Sequence, residues 1–214
     1  MTPFTVHRGI IAPLDTANVD TDQIIPKQFL KSIKRTGFGP ALFCDWRYLP
    51  DGKDNPEFEL NAPRYQGRSV LVTRNNFGCG SSREHAVWAL AQDGYRAVIA
   101  PYAGEGASRT PGFADIFRNN CVKNGIATVE LAPEQVDEIF TLVRDHAGLE
   151  ATVDLQAEKV VLHTPDGDMT YPFKYDPASR EVLLNGLDDI AMSLQYAESI
   201  SRFERTHDSQ LAGA

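Results

Sequence analysis

The sequence has few of the residues that hold small proteins together by covalent or metal bonds. Three cysteines occur in 214 residues, Cys44, Cys79 and Cys121. There is no C-x-x-C pair, and no cysteine–histidine spacing suits zinc. Three thiols also fall short of the four cysteine ligands that iron–sulfur clusters commonly use. An odd thiol count fits a reducing compartment, so the expected location is cytoplasmic. Basic blocks are missing as well. Lys and Arg number 21 against 29 Asp and Glu, a formal net charge of −8 with a pI near 5.1. That balance excludes non-specific nucleic-acid binding, which needs Lys/Arg to neutralise phosphates. An anionic ligand would have to be met by local groups. No apolar run approaches the ~18 residues of a membrane span. Residues 1–10 lack the basic start and apolar stretch of a secretory signal. No nucleic-acid and no membrane partner is expected.

What is present describes an ordinary globular chain. Hydrophobic residues make up 42% and charged residues 23%, the usual proportions of a soluble domain. At roughly 150 residues per domain, one domain is expected. A chain of this length buries about 70% of its unfolded surface, so it folds without staples. Phe4 to Leu14 is strand-like, and Lys27 to Ser32 reads as a short helix after Pro26. Residues 33–67 are punctuated by Gly and Pro, and loops of that length are usually functional or mobile. Ser69–Thr73, Ala97–Ala100 and Ile126–Leu131 read as buried strands. Between and after them lie helices starting at Ser81 or Ser82, near Phe113 and at Pro133. Phe113, Ile116, Phe117 and Cys121 share one helical face, as do Val136, Ile139, Phe140 and Val143. The β-α alternation argues for parallel strands with crossover helices. Ala151–Leu155, Lys159–Thr164 and Met169–Tyr175 then read as antiparallel strands, with a turn at Pro165–Asp168. Leu187–Arg205 reads as one helix with Ile190, Leu194, Ala197 and Ile200 inward. Residues 1–205 are expected to form a single domain and 206–214 a frayed tail.

Two segments carry candidate chemistry. Asn75-Asn-Phe-Gly-Cys-Gly-Ser-Ser-Arg-Glu-His85 joins a strand to a helix. Gly78 and Gly80 permit a sharp turn and close ligand approach. Ser81-Ser-Arg-Glu84 has capping-box spacing, and a helix N-terminus favours anions. A dinucleotide loop is disfavoured, because Arg83 stands where a third small residue must pack. A G-x-S-x-G nucleophile elbow is absent. On spacing alone, a plainly capped helix accounts for these residues as well as a site does. In the functional alternative, one serine acts as base or nucleophile and Arg83 grips a carboxylate in bidentate fashion. A serine base needs its alkoxide form, which backbone N–H groups and Arg83 could stabilise. The second segment is Asn18-Val-Asp-Thr-Asp-Gln-Ile-Ile-Pro26. By itself it reads as an Asp/Thr-rich turn, since a calcium loop needs a longer series.

Together, Asn18-Val-Asp-Thr-Asp-Gln-Ile-Ile-Pro-Lys-Gln-Phe-Leu30 and Gly78-Cys-Gly-Ser-Ser-Arg-Glu-His85 closely resemble the small-subunit family of the 3-isopropylmalate dehydratases, within the aconitase superfamily. The likeness runs over most of the chain. It includes Phe38-Gly-Pro-Ala-Leu-Phe-Cys-Asp-Trp-Arg-Tyr48 and Phe113-Ala-Asp-Ile-Phe-Arg-Asn-Asn120. The resemblance implies an α/β swivelling domain, layered β/β/α, with a parallel core and an added C-terminal β-hairpin and helix. It implies a hydro-lyase that interconverts 2-isopropylmalate and 3-isopropylmalate through isopropylmaleate, in leucine biosynthesis. It also implies a heterodimer whose large subunit holds a 4Fe–4S cluster, with no cofactor or metal bound by this chain. By motif position, Ser81 would be the base, with Ser82, Arg83 and Thr21 contacting a hydroxy-dicarboxylate substrate. Asp22 would be an acidic residue of the catalytic site. The loop bearing Leu30, Lys31, Ile33, Lys34 and Arg35 would discriminate between substrates. A sister hydro-lyase acting on citraconate or homoaconitate, and a non-catalytic interaction module, stay open as alternatives. Cys79 lies near the expected helix start, an environment that lowers a thiol pKa, but the favoured reading is a small turn filler between two glycines. His85 is expected to play a supporting or surface role.

Overall fold

The computed structural model describes residues 1–31, 34–194 and 196–211. Its strands are β1 (Val6–Leu14), β2 (Arg68–Thr73), β3 (Ala97–Pro101), β4 (Ala127–Leu131), β5 (Glu150–Asp154), β6 (Lys159–Thr164) and β7 (Gly167–Pro172). They form one mixed sheet in the order β4-β3-β2-β1-β5-β6-β7. The expected parallel core is β1 to β4, with Ile11 opposite Val70, Val70 opposite Ala97 and Ala97 opposite Ala127. The expected hairpin is part of the same sheet. β5 pairs antiparallel with β1, Val6 opposite Asp154, so β5, β6 and β7 continue the same curled sheet.

Burial separates the two halves. Val70 to Val72 in β2 and Ala97 to Ala100 in β3 are fully inaccessible, as strands covered on both faces must be. β5 and β6 alternate instead. Ala151, Val153, Val160 and Leu162 are buried while their neighbours are partly accessible, the pattern of a sheet with one wet face.

The helices are α1 (Thr21–Ile24), α2 (Cys44–Arg47), α3 (Glu84–Gln92), α4 (Asp115–Lys123), α5 (Pro133–Asp145), α6 (Pro177–Asn185), α7 (Asp189–Leu194) and α8 (Ala197–Leu211). Pro133 opens α5 as expected, and Val136, Ile139, Phe140 and Val143 bury against β1, β2 and β3. α3 packs on α4, and α4 on β4 and α6. The Gly/Pro-rich stretch before β2 is a series of short 3-10 turns around α2. It is organised by the rings of Phe43, Trp46 and Phe58, with centroids about 6 Å apart. Asp93, just past α3, ties it down by pairing with Arg47 at 2.7 Å and Arg68 at 2.8 Å.

Several expectations need correction. α6 is not among the expected elements, although its signals stand in the sequence. Asp176 caps it by accepting from the Ser179 N–H, Pro177 occupies the first turn, and Gly186 closes it at φ 64°. The single helix expected over 187–205 is two, α7 and α8, and α8 runs through Leu211. Ile190, Leu194, Ala197 and Ile200, expected inward, are exposed. Ile116 is also turned outward, at 52% exposure, while Phe117 and Cys121 on its helix are buried.

Candidate active site

The two motif segments meet along their backbones. The Asn18 N–H donates to the Asn75 carbonyl at 3.0 Å, the Gly78 N–H to Val19 at 2.8 Å, and the Thr21 N–H to Cys79 at 2.9 Å. Asn18 and Asn76 are both left-handed, at φ 57° and 60°, a conformation asparagine tolerates better than most residues. Their side-chain amides bond each other at 2.9 Å. Asp20 and Gln23 form a capping box on α1, each bond being 2.8 Å. The long-range zip between the segments sets Thr21 beneath the Gly78–Arg83 turn.

That turn depends on its glycines. Gly78 and Gly80 have φ of 76° and 87°. A Cβ on Gly78 would stand 2.1 Å from the Phe117 ring, so only glycine lets α4 approach. The expected capping box at Ser81–Glu84 does not form. α3 begins at Glu84, and Arg83 holds the N-cap position in extended geometry (φ −136°) without a side-chain cap. Glu84 instead accepts from the Asn124 amide at 3.0 Å. The reason combines the turn itself with a contact from far along the chain. The positive-φ glycines and the Thr21 hydroxyl, which donates to the Ser81 carbonyl at 2.8 Å, hold the serines off the helix axis.

The result is a cavity of about 260 Å³. Thr21, Ser81, Ser82 and Arg83 form its polar side, and Ala114, Ile116 and Phe117 its apolar wall. Ser81 and Ser82 are exposed. No hydrogen bond to another described residue occupies either hydroxyl. The Arg83 side chain is 13% exposed and its Nη1 is ion-paired with Asp22. No described hydrogen bond occupies its Nη2 or Nε. A largely desolvated guanidinium with a free fork is suited to gripping a carboxylate. Asp22 does not line the cavity. It stands behind Arg83, with Lys27 Nζ at 3.7 Å from its other oxygen.

Matching these features to known proteins gives a consistent answer. The Aconitase C-terminal domain family matches residues 1–134. The 3-isopropylmalate dehydratase small subunit of Desulforapulum autotrophicum is 56% identical over 213 residues, covering 100% of this chain and 99% of that protein. The chain belongs to the 3-isopropylmalate dehydratase small-subunit family. A crystal structure of 3-isopropylmalate dehydratase from Methanocaldococcus jannaschii superposes with a TM-score of 0.64 at 25% identity. It covers 92% of this chain and 99% of that one. The swivelling α/β fold expected from the motifs is therefore the family's fold.

Within this family member, the remaining expected site residues fall in different places. Leu30 packs against the core, and Lys31 and Lys34 are exposed. The Arg35 guanidinium lies 5.6 Å from the Trp88 ring centroid, and its carbonyl accepts from Gln92 at 2.9 Å. None of these four lines the cavity. Ile33 lies outside the described residues. His85 is held between the Phe38 and Trp88 rings at 5.3 and 4.7 Å, a packing role. Burial, and then the Asp20 carboxylate, push the Cys79 thiol pKa up, which speaks for the turn-filler reading over an activated thiol. The thiol donates to the Asn18 carbonyl at 3.4 Å, and α3 begins only at Glu84. Sequence reasoning missed the Asn18–Asn76 pair and the Ala114–Ile116 wall. The first could have been found from asparagines at turn positions. The second was hidden by assigning Ile116 to the core.

Among the described residues, no three His, Cys, Asp or Glu side chains converge to hold a metal ion. The described thiols, Cys44, Cys79 and Cys121, do not form a group that fits a 4Fe–4S cluster. No described helix is long and apolar enough to cross a membrane.

Proposed function

We propose that this chain is the small subunit of a two-chain hydro-lyase that interconverts 2-isopropylmalate and 3-isopropylmalate through isopropylmaleate, in leucine biosynthesis in the cytoplasm. The observation that carries the proposal is the cavity in which exposed Ser81 and Ser82 stand beside a desolvated Arg83 with a free fork. Arg83 and the Ser82 hydroxyl bind a substrate carboxylate. Ser81 Oγ takes the proton from carbon as the double bond forms and returns it on rehydration. Asp22 acts through Arg83, fixing the guanidinium in its working orientation. Ala114 and Ile116 offer an apolar wall to the isopropyl group. The loop of Leu30, Lys31, Ile33, Lys34 and Arg35 contributes to substrate choice from outside this wall.

No described group of this chain handles the departing hydroxyl. That half of the reaction falls to a large subunit, on which the 4Fe–4S cluster is expected. This chain's own contribution is the base and the carboxylate clamp.

The test mixes the chain with its large partner and follows the absorbance of the unsaturated intermediate over a panel of hydroxy acids. Isopropylmalate turnover is expected only from the mixture, and Ser81→Ala should lower it by roughly 10²–10⁴-fold while the two chains still co-purify. Turnover by the lone chain, or full activity of the Ser81→Ala complex, would overturn the proposal. Preference for a methyl-substituted or longer acid would move the chain to a sister enzyme.

A further inference from the structure

We infer that Thr21 is a positioning residue for Ser81, acting from beneath the turn without touching substrate through its hydroxyl proton. The inference rests on the reading of Ser81 as the base. Thr21 is 2% exposed, one of the few buried polar side chains of the protein. Its Oγ1 donates to the Ser81 carbonyl at 2.8 Å, and its backbone N–H donates to the Cys79 carbonyl at 2.9 Å. The two bonds bracket Gly80, whose φ of 87° is open only to residues that tolerate the left-handed region.

Ser81 has little else to hold it. α3 does not begin until Glu84, and its hydrogen bonding starts at the Arg83 carbonyl, which accepts from the Ala86 N–H at 3.2 Å, so residues 80–82 take no support from it. Among the described residues, the Thr21 hydroxyl makes the only hydrogen bond to Ser81. A glycine pivot on one side and free backbone on the other would let the Ser81 hydroxyl sample many positions. Proton transfer from carbon tolerates little misplacement, and a shift on the order of 1 Å lowers rates by about 10²-fold. Arg83 is anchored separately, through its ion pair with Asp22. Loss of the Thr21 hydroxyl should therefore disturb the base and spare the carboxylate clamp.

The experiment compares Thr21→Val, Thr21→Ser and Ser81→Ala, each in complex with the large subunit and normalised to assembled complex. Thr21→Val keeps the shape and removes the hydroxyl. The expected result is a roughly 10- to 100-fold fall in kcat with KM within about threefold of wild type. Thr21→Ser restores the hydroxyl and should recover most of kcat, even where its smaller side chain lowers Tm. A purely structural role would instead track Tm and leave kcat per assembled complex unchanged. Wild-type kcat in Thr21→Val beside an inactive Ser81→Ala overturns this inference alone. So does a raised KM at unchanged kcat, which would make the hydroxyl a direct substrate contact. An active Ser81→Ala complex overturns both the inference and the reading beneath it.

Discussion

The paired segments at 18–22 and 75–83 and the C-terminal helices α7 and α8 are held in opposite ways. The first two have no long regular element and send only Val19 and Phe77 into the core. They are fixed by backbone hydrogen bonds across the gap, by the Asn18–Asn76 amide pair and by the buried Thr21 hydroxyl. The C-terminal helices have the strongly amphipathic pattern that normally marks a packed helix, yet Ile190, Leu194 and Phe203 are 71%, 65% and 64% exposed. Hydrophobic periodicity therefore says that a face is apolar, and does not say that this chain covers it. Specific polar contacts, which have no period, are what make the site rigid.

Three sets of substitutions probe that contrast, beyond those at Ser81 and Thr21. The largest effect should come from Gly78→Ala. The added Cβ would overlap the Phe117 ring in a left-handed conformation, with an expected loss of about 3 kcal/mol from overpacking and backbone strain together. Urea unfolding measures it, and a change below about 0.5 kcal/mol would mean that the turn is not rigid. Next is Arg83→Lys, which keeps the charge and loses the fork. It should lower kcat/KM roughly 10- to 100-fold with the fold intact, and near-wild-type kinetics would show that a point charge suffices. The smallest effect belongs to the other region. Serine at Ile190, Leu194 or Phe203 should change stability by less than about 0.5 kcal/mol each, because no buried contact is lost. A loss above about 2 kcal/mol by the same unfolding assay would show that these side chains are packed in solution.

Much of the architecture was legible in the sequence, for identifiable reasons. β2, β3 and β4 are short apolar runs set off by turn residues, and α5 has a proline start and a complete apolar face. The candidate site residues stood out as motifs, and the cavity brings Thr21, Ser81, Ser82 and Arg83 together. The start of α3 was not legible. Local capping signals at Ser81–Glu84 lost to tertiary contacts from Thr21 and Asn124, which lie far away in sequence. The inward assignment of Ile116 failed for a related reason. Periodicity gives every apolar residue on a face the same weight, and the mouth of a cavity interrupts that face. α6 was overlooked although Asp176, Pro177 and Gly186 mark both its ends.

The zip between the two segments also bears on how the protein is made. Its side-chain bonds join residues 58 to 61 positions apart, and they sit at the ends of β1 and β2. Closing a loop of that length carries an entropy penalty that must be met before the contacts reward it. A newly made or partly unfolded chain with α3 and α5 in place would still be expected to lack the arrangement around Ser81. The geometry at Ser81 is expected to form late in folding, so its appearance would report in one measurement that the long-range topology of the parallel sheet is complete.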